Sequence, residues 1–334
     1  PTIPTTTPES GVNECPILLV GMMCPICYTS STTRTVLQNW RDLIKGNREA
    51  IIMGGGEPIL LKEVGERSSS ILSPISSISV LFYHQFLIKN LIRKDIKGRY
   101  SNSFLGYIWT VLEPALLSAV YYFLFIMIAD DPDPLYPVWV IIGVIIWSCF
   151  GKVLQSTVTS LTRNASTIHL VYFPRIIFTY ASVGSTIWIT LMSSVVFIPL
   201  LIAYDIGISW QLLLVPVAIL LAAFNAVGLG LLLAPTNCIN RDVEHLVRFI
   251  VRAGFFLSPV MWTWDMALKR GWASDVVIWN PMVFPITLAR DGFLGKVTEF
   301  PVDGILISVG WGLAMWAIGS MVFNKFEHSA VKYL

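Results

Sequence analysis

Long apolar stretches dominate this chain, and polar residues gather between them. A bilayer core is crossed by about 20 apolar helical residues. Six stretches are candidates for that role: 104–129, 135–161, 176–203, 210–234, 246–264 and 302–323. The first is interrupted only by Glu113 and Pro114. The second is apolar over Leu135–Gly151 and continues as a more polar helix to about Leu161. The stretch 246–264 is the weakest, with a short apolar part, Phe249–Trp262, that carries Arg252. Ten-residue alternating strands are absent, and long helices satisfy their own backbone groups in lipid. The pattern predicts an all-α polytopic membrane protein with six transmembrane helices.

Two flanking patterns add to this plan. In Leu81–Tyr100, Phe82, Phe86, Leu87, Leu91 and Ile92 share one helical face, while Lys89, Arg93, Lys94 and Lys97 fall largely on another. That is an amphipathic helix, over about 81–101, lying in the cytoplasmic interface with its basic side toward anionic headgroups. Between the fifth and sixth spans, Trp262–Pro301 alternates Pro, Gly and Asn with apolar runs too short to span. This texture predicts two short external helices, re-entrant or interfacial.

Residues 1–80 form a leader unlike the rest. Pro1–Ser10 is Thr/Pro-rich, an expected disordered segment. Cys15–Tyr28 is apolar but too short to span, and no basic region precedes it. Gly54-Gly55-Gly56 lacks the Gly-Lys-Ser/Thr of a phosphate loop, and Ser68–Ser79 reads as a linker. Cys15, Cys24 and Cys27 cluster without the fourth ligand of a closed zinc site. The leader receives no role.

Composition narrows the class. The 334 residues are 54% hydrophobic and 13% charged, with mean hydropathy +0.67. A soluble domain is about 25% charged, so too few charges remain here to cover a water-exposed surface. The net charge of +2 lacks the clustered basic footprint of a nucleic-acid binder. Charge placement orients the spans. Basic residues precede span one, separate spans two and three (Arg163, Arg175) and spans four and five (Arg241, Arg248), and follow span six. The opposite turns at Asp130–Asp133 and Asp205–Gly207 carry none. Both termini are therefore expected in the cytoplasm.

Enzyme motifs are missing: no Walker A loop, no H-E-x-x-H, no G-x-S-x-G, no dinucleotide fingerprint. The four histidines are far apart and do not form a metal set. Three helix stripes carry more. Ser148, Lys152, Gln155, Thr159 and Thr162 make one polar face on span two, which should face a water-filled cavity or a partner helix. Thr179, Ser182, Thr186, Thr190 and Ser193 repeat this on span three, where back-bonding to the helix and pore lining are equal alternatives. Ala222, Ala226, Gly230 and Ala234 admit a close helix neighbour on span four, within one subunit or between subunits. Glu113, deep in span one, is expected to be structural or pore-lining, since no chain of acids supports proton relay. Tyr107, Trp109, Tyr121, Tyr122 and Trp147 lie within spans, where aromatic rings suit stacking on sugars, although interface anchoring and core packing explain any single ring more simply.

In order along the chain, Arg93-Lys94-Asp95-Ile96-Lys97-Gly98-Arg99-Tyr100, Ser103-Phe104-Leu105-Gly106-Tyr107-Ile108-Trp109 and Glu113-Pro114 resemble the N-terminal signature of ABC-2 type export permeases. The closest subgroup exports polysaccharides: O-antigen, capsular and teichoic-acid systems. Val171-Tyr172-Phe173-Pro174-Arg175, Asn240-Arg241-Asp242-Val243, Phe256-Leu257-Ser258-Pro259-Val260, Asn280-Pro281 and Arg290-Asp291 follow in the family's order, so the resemblance covers about Glu57–Leu334. The long leader departs from it. The resemblance implies a homodimer in a prokaryotic plasma membrane, docked on two separate ABC ATPase subunits that hold ATP and Mg. It implies an ATPase-coupling loop with Asn164, His169, Tyr172 and Arg175, joined by Arg241 and Asp242. Arg93, Lys94, Lys97 and Arg99 would mark the interface helix. Tyr107, Trp109, Glu113, Tyr121, Tyr122, Trp147 and Lys152 are the candidates to contact a lipid-linked glycan in a channel. Trp262, Trp264, Asn280, Pro281, Arg290 and Asp291 would form an external gate. An exporter of a drug or small lipid is the alternative within transport. A membrane-embedded glycosyl or lipid transferase is the alternative of another class, and a proton- or sodium-coupled carrier would need paired intramembrane charges.

Overall fold

Long apolar runs fold as helices here because a helix pairs its own amides and carbonyls without help from water. The computed structural model describes residues 50–52, 59–61, 79–100, 104–128, 134–168, 174–296 and 300–330. Contacts divide the chain into two units, Pro1–Glu66 and Arg67–Leu334. In the first, β1 (Ala50–Ile52) and β2 (Ile59–Leu61) pair antiparallel with Ile51 opposite Leu60, a hairpin that the leader's composition did not predict. The cysteine cluster, the glycine triplet and the Thr/Pro-rich start lie outside the described residues, as does most of the Ser-rich stretch.

The second unit is a helical assembly: α1 (Gln85–Tyr100), α2 (Ile108–Ile128), α3 (Tyr136–Val158), α4 (Ser160–Arg163), α5 (Ala165–Ile168), α6 (Ile176–Ser193) and α7 (Phe197–Ala203). These are followed by α8 (Leu214–Ile239), α9 (Asp242–Leu257), α10 (Trp264–Lys269), α11 (Trp272–Val277), α12 (Val283–Leu294) and α13 (Val302–Ala330). A 3-10 turn at Ser194–Val196 joins α6 to α7, and another at Trp210–Leu213 leads into α8. Four described stretches are long and apolar enough to cross a membrane: Tyr136–Val158, Ile176–Ala203, Trp210–Ile239 and Val302–Glu327. A shorter apolar stretch, Ile108–Leu124, lies in α2. Together they describe a polytopic membrane protein.

The stretch read as a span over 246–264 behaves differently. Its helix, α9, starts at Asp242 and stops after 16 residues at Leu257. At 1.5 Å per residue that reaches only about 24 Å, short of a bilayer core of about 30 Å. Pro259 lies just past its end, and the backbone is already extended at Ser258. The segment beyond it holds three helices, α10, α11 and α12, where two were expected.

Helix α8 is the hub, packed along α13, α3 and α12. Its small residues explain that position. A side chain at Gly228 would collide with the α13 backbone at Met315 and Trp316, and one at Gly319 would strike the Gly228 carbonyl. On another side, Ala222, Ala226 and Ala234 are fully buried, and a side chain at Gly230 would collide with Thr157 of α3. The ladder therefore serves packing within one chain. Helix α12 also contacts α3 and α13, with Val283, Ile286 and Ala289 completely covered. On the far side of α3 lie α6 and α2, and α1 lies along α6.

Candidate functional site

Helix α3 exposes almost none of its surface. From Ile142 to Val158 every residue is buried except Ser148, Lys152 and Gln155. These are three members of the predicted polar stripe, and they form the one gap in the helix's covering there. Of the other two, Thr159 is buried and donates its hydroxyl to the Gln155 carbonyl at 2.9 Å. Thr162 donates likewise to the Thr159 carbonyl at 3.1 Å.

Helix α2 borders this gap. Its inner face carries Thr110, Pro114 and Ser118, all buried, while Trp109, Glu113, Leu116, Leu117 and Val120 face outward. Pro114 has no amide hydrogen and so leaves a carbonyl one turn earlier unpaired. Ser118 donates its hydroxyl to the Pro114 carbonyl at 2.7 Å. Across the gap, Lys152 Nζ donates to Glu113 Oε2 at 2.9 Å, with the side chains 41% and 53% exposed. The two deep charges of the sequence thus belong to one ion pair. Glu113, Pro114, Leu117, Ser148, Lys152 and Thr190 line the cleft between α2, α3 and α6. Charges on an outward face at this depth need water, a polar cargo or another protein surface beside them.

The hydroxyl stripe of α6 has the plainer of its two fates. Thr186 donates to the Ser182 carbonyl at 2.9 Å, Thr190 to the Thr186 carbonyl at 3.0 Å and Ser193 to the Ile189 carbonyl at 3.1 Å. Thr179 is wholly buried, with its hydroxyl 2.9 Å from that of Ser160. Most of the stripe is thus helix-to-helix packing against α3 and α4, and only its upper members, Thr190 and Ser193, border the cleft.

The candidate aromatic residues separate into two groups. Tyr107 and Trp109 are exposed, at 55% and 45%. Trp147 is 7% exposed, and its indole N–H donates to the Val251 carbonyl of α9 at 3.2 Å. It belongs to the packing between α3 and α9. Tyr121 stacks on Phe255 at 4.9 Å between ring centroids, and Tyr122 lies 6.5 Å from the ring of Tyr136.

The residues expected at an external gate gather near Arg290. This side chain is 5% exposed and makes four hydrogen bonds to three main-chain carbonyls: two to Trp139, at 3.1 and 3.0 Å, and one each to Trp262 at 3.0 Å and Val260 at 2.8 Å. The Tyr136 hydroxyl donates to the Met261 carbonyl at 3.0 Å, so the strap 258–263 is bound along its length. Asn280 bonds the Ser258 hydroxyl at 2.9 Å, and Asn225 of α8 reaches the Pro281 carbonyl at 3.1 Å. Ser308 of α13 donates to that same carbonyl at 2.7 Å. Trp264 is buried against Phe300, 4.8 Å between centroids. Asp291 adjoins Arg290 in α12, and its carbonyl accepts from Lys296 N at 2.9 Å. Four of the six residues expected at an external gate, Trp262, Asn280, Pro281 and Arg290, together with Asn225 and Ser308, therefore hold the strap and the 280–282 turn to the helices around them.

At the other end of the helices, Asn164 donates to the Ser160 carbonyl at 2.8 Å and caps α4. Arg175 pairs with Glu327 at 3.9 Å. Arg241 and Asp242 open α9 in exposed positions, with the Asp242 amide bonded to Asn240 Oδ1 at 3.0 Å. His169 and Tyr172 lie outside the described residues. In α1, Arg93, Lys94, Lys97 and Arg99 are all exposed. Ser185 and Glu327, which form contacts here, were not singled out from sequence, and Asp95 and Arg163 were named only within the signature and as a charge that orients the spans. The isolated acid in the basic 93–99 stretch was the available signal.

The sequence matches the profile of the family described as ABC-2 type transporter over residues 86–294. It is 26% identical over 252 residues to an O-antigen export system permease protein, RfbA, of Klebsiella pneumoniae, covering 74% of this chain and 95% of that protein. An RfbA of Myxococcus xanthus is likewise 26% identical over 256 residues, covering 77% and 98%. The polysialic acid transport protein KpsM of Escherichia coli is 24% identical over 232 residues, covering 64% and 83%.

Proposed function

The chain belongs to the ABC-2 type transporter family, and from that premise we propose that it is the membrane permease of an ATP-driven exporter of a lipid-linked polysaccharide or polyol-phosphate glycan. The observation that carries this reading is the match, over 95% and 98% of their own length, to permeases named for O-antigen export. In it, two copies meet across the outward face of α2 and α3. That face bears the exposed Glu113–Lys152 pair beside Trp109. The cargo passes between the copies from the cytoplasmic to the outer side, and both termini are cytoplasmic. Six membrane-crossing segments are assigned, with α9 and the segments after it completing the fifth. ATP and Mg are bound by two separate ATPase subunits, which engage the cytoplasmic turn beginning at Asn164, with Arg241 and Asp242 nearby.

The arrangement suits a sugar cargo. An exposed ion pair and an amide at Gln155 offer donors and acceptors, while Tyr107 and Trp109 offer flat apolar rings. A purely apolar cargo would leave the exposed side of the Glu113–Lys152 pair facing an apolar surface. The test is reconstitution of the permease with its ATPase in liposomes loaded with lipid-linked glycan. Glycan should become accessible on the far side only with ATP. ATP hydrolysis by the purified chain alone, or transport of small apolar compounds in place of glycan, would remove the reading.

A further inference from the structure

Helix α1 is strongly basic, yet Asp95 sits in its middle. A carboxylate facing anionic headgroups would be repelled, so its partners should lie on the protein side. They do, on three elements. Arg99 of α1 reaches Asp95 Oδ2 at 3.1 Å. The hydroxyl of Ser185, a fully buried residue of α6, donates to the same oxygen. Arg163, the last residue of α4, faces Asp95 Oδ1 at 3.8 Å. Apolar contacts fix α1 in register beneath these charges. Ile88 packs with Ile177 and Ala181, and Gly184 lets Ile92 approach where any side chain would intrude.

Arg163 and Arg175 flank the cytoplasmic turn. Each is ionically matched to a different terminal helix: Arg163 to Asp95 of α1, and Arg175 to Glu327 near the end of α13 at 3.9 Å. Both separations exceed a direct hydrogen bond.

We propose that Asp95 and Glu327 are positioning residues that tether the two ends of the 163–175 turn to the first and last helices of the membrane unit. A displacement of the turn then moves α1, α6 and α13 together. The proposal rests on the exporter reading and deepens it. It names the route by which force at the turn reaches α1 and α13 together with α6, which borders the cleft between α2 and α3.

The test uses the full permease–ATPase complex in liposomes, measuring ATP hydrolysis and glycan export in parallel. In Asp95→Asn and in Glu327→Gln, ATP hydrolysis should stay near the unsubstituted rate. Export per ATP should fall about tenfold, the size of a typical coupling effect between sites. Asp95→Glu should recover most of the export. Arg163→Gln should reproduce the Asp95→Asn defect, and the double variant should be no worse than either single one. Arg163 is exposed, so this variant decides the matter if Asp95→Asn fails to assemble. Equal loss of hydrolysis and export, or unchanged export, overturns the tethers. Absence of any ATP-dependent export by the unsubstituted complex would instead sink the exporter reading itself.

Discussion

At the residue scale, Arg290 and the Glu113–Lys152 pair show two ways of holding a charge, clamped and paired. Arg290 is the clamped case: a buried guanidinium whose hydrogen bonds all run to main-chain carbonyls. Arg290→Gln would leave several of those carbonyls without donors, at a cost of about 3 kcal/mol. The loss should appear as a lower unfolding temperature in detergent; unchanged melting would show that the strap holds without it. The aromatic residues divide by burial. Trp147→Ala removes a packed ring and its bond to Val251, a loss of about 3 kcal/mol, and should yield poorly assembled protein. Trp109→Ala should assemble normally and impair export. If the two variants behave alike in size-exclusion and export assays, burial does not separate their roles.

Elements depend on where small and polar residues fall along a helix. In α8 the ladder at Ala222, Ala226, Gly230 and Ala234 meets α3, and Gly228 on another side meets α13. Gly230→Leu must displace Thr157 and should destabilise the folded chain by a few kcal/mol, about what overpacking costs. A folded monomer that no longer dimerises would instead place the ladder between subunits. Periodicity alone left both outcomes open, because a small-residue ladder looks the same whichever helix it receives. The hydroxyl stripe of α6 was ambiguous for a similar reason: back-bonded and pore-lining hydroxyls share one spacing. Helix α9 shows a further limit. Summed hydropathy over 246–264 ignores the break at Ser258-Pro259, which divides that stretch between a short helix and a strap.

For the whole molecule, the outward face of α2 is the clearest surface to test. Leu116 and Val120 are 53% and 55% exposed beside Glu113. If a second copy covers this face, Leu116→Cys or Val120→Cys should form a disulfide-linked dimer under mild oxidation in native membranes, after the native cysteines are replaced. Crosslinking absent at both sites, with dimers present by mass, would move the interface elsewhere.

Membrane class, helix content and the deep residues Glu113 and Lys152 were legible in the chain itself. They depend on local quantities: the length of an apolar run, its period, and the rarity of charge within it. Partnership was not legible. That Glu113 meets Lys152 39 positions away, that Arg290 gathers carbonyls from Trp139, Val260 and Trp262, and that Asp95 faces Arg163 and Ser185 are outcomes of packing. Sequence sets which side chains can bond and which faces can be buried. Only the tertiary arrangement brings distant donors and acceptors within about 3 Å, where hydrogen-bond energy is realised.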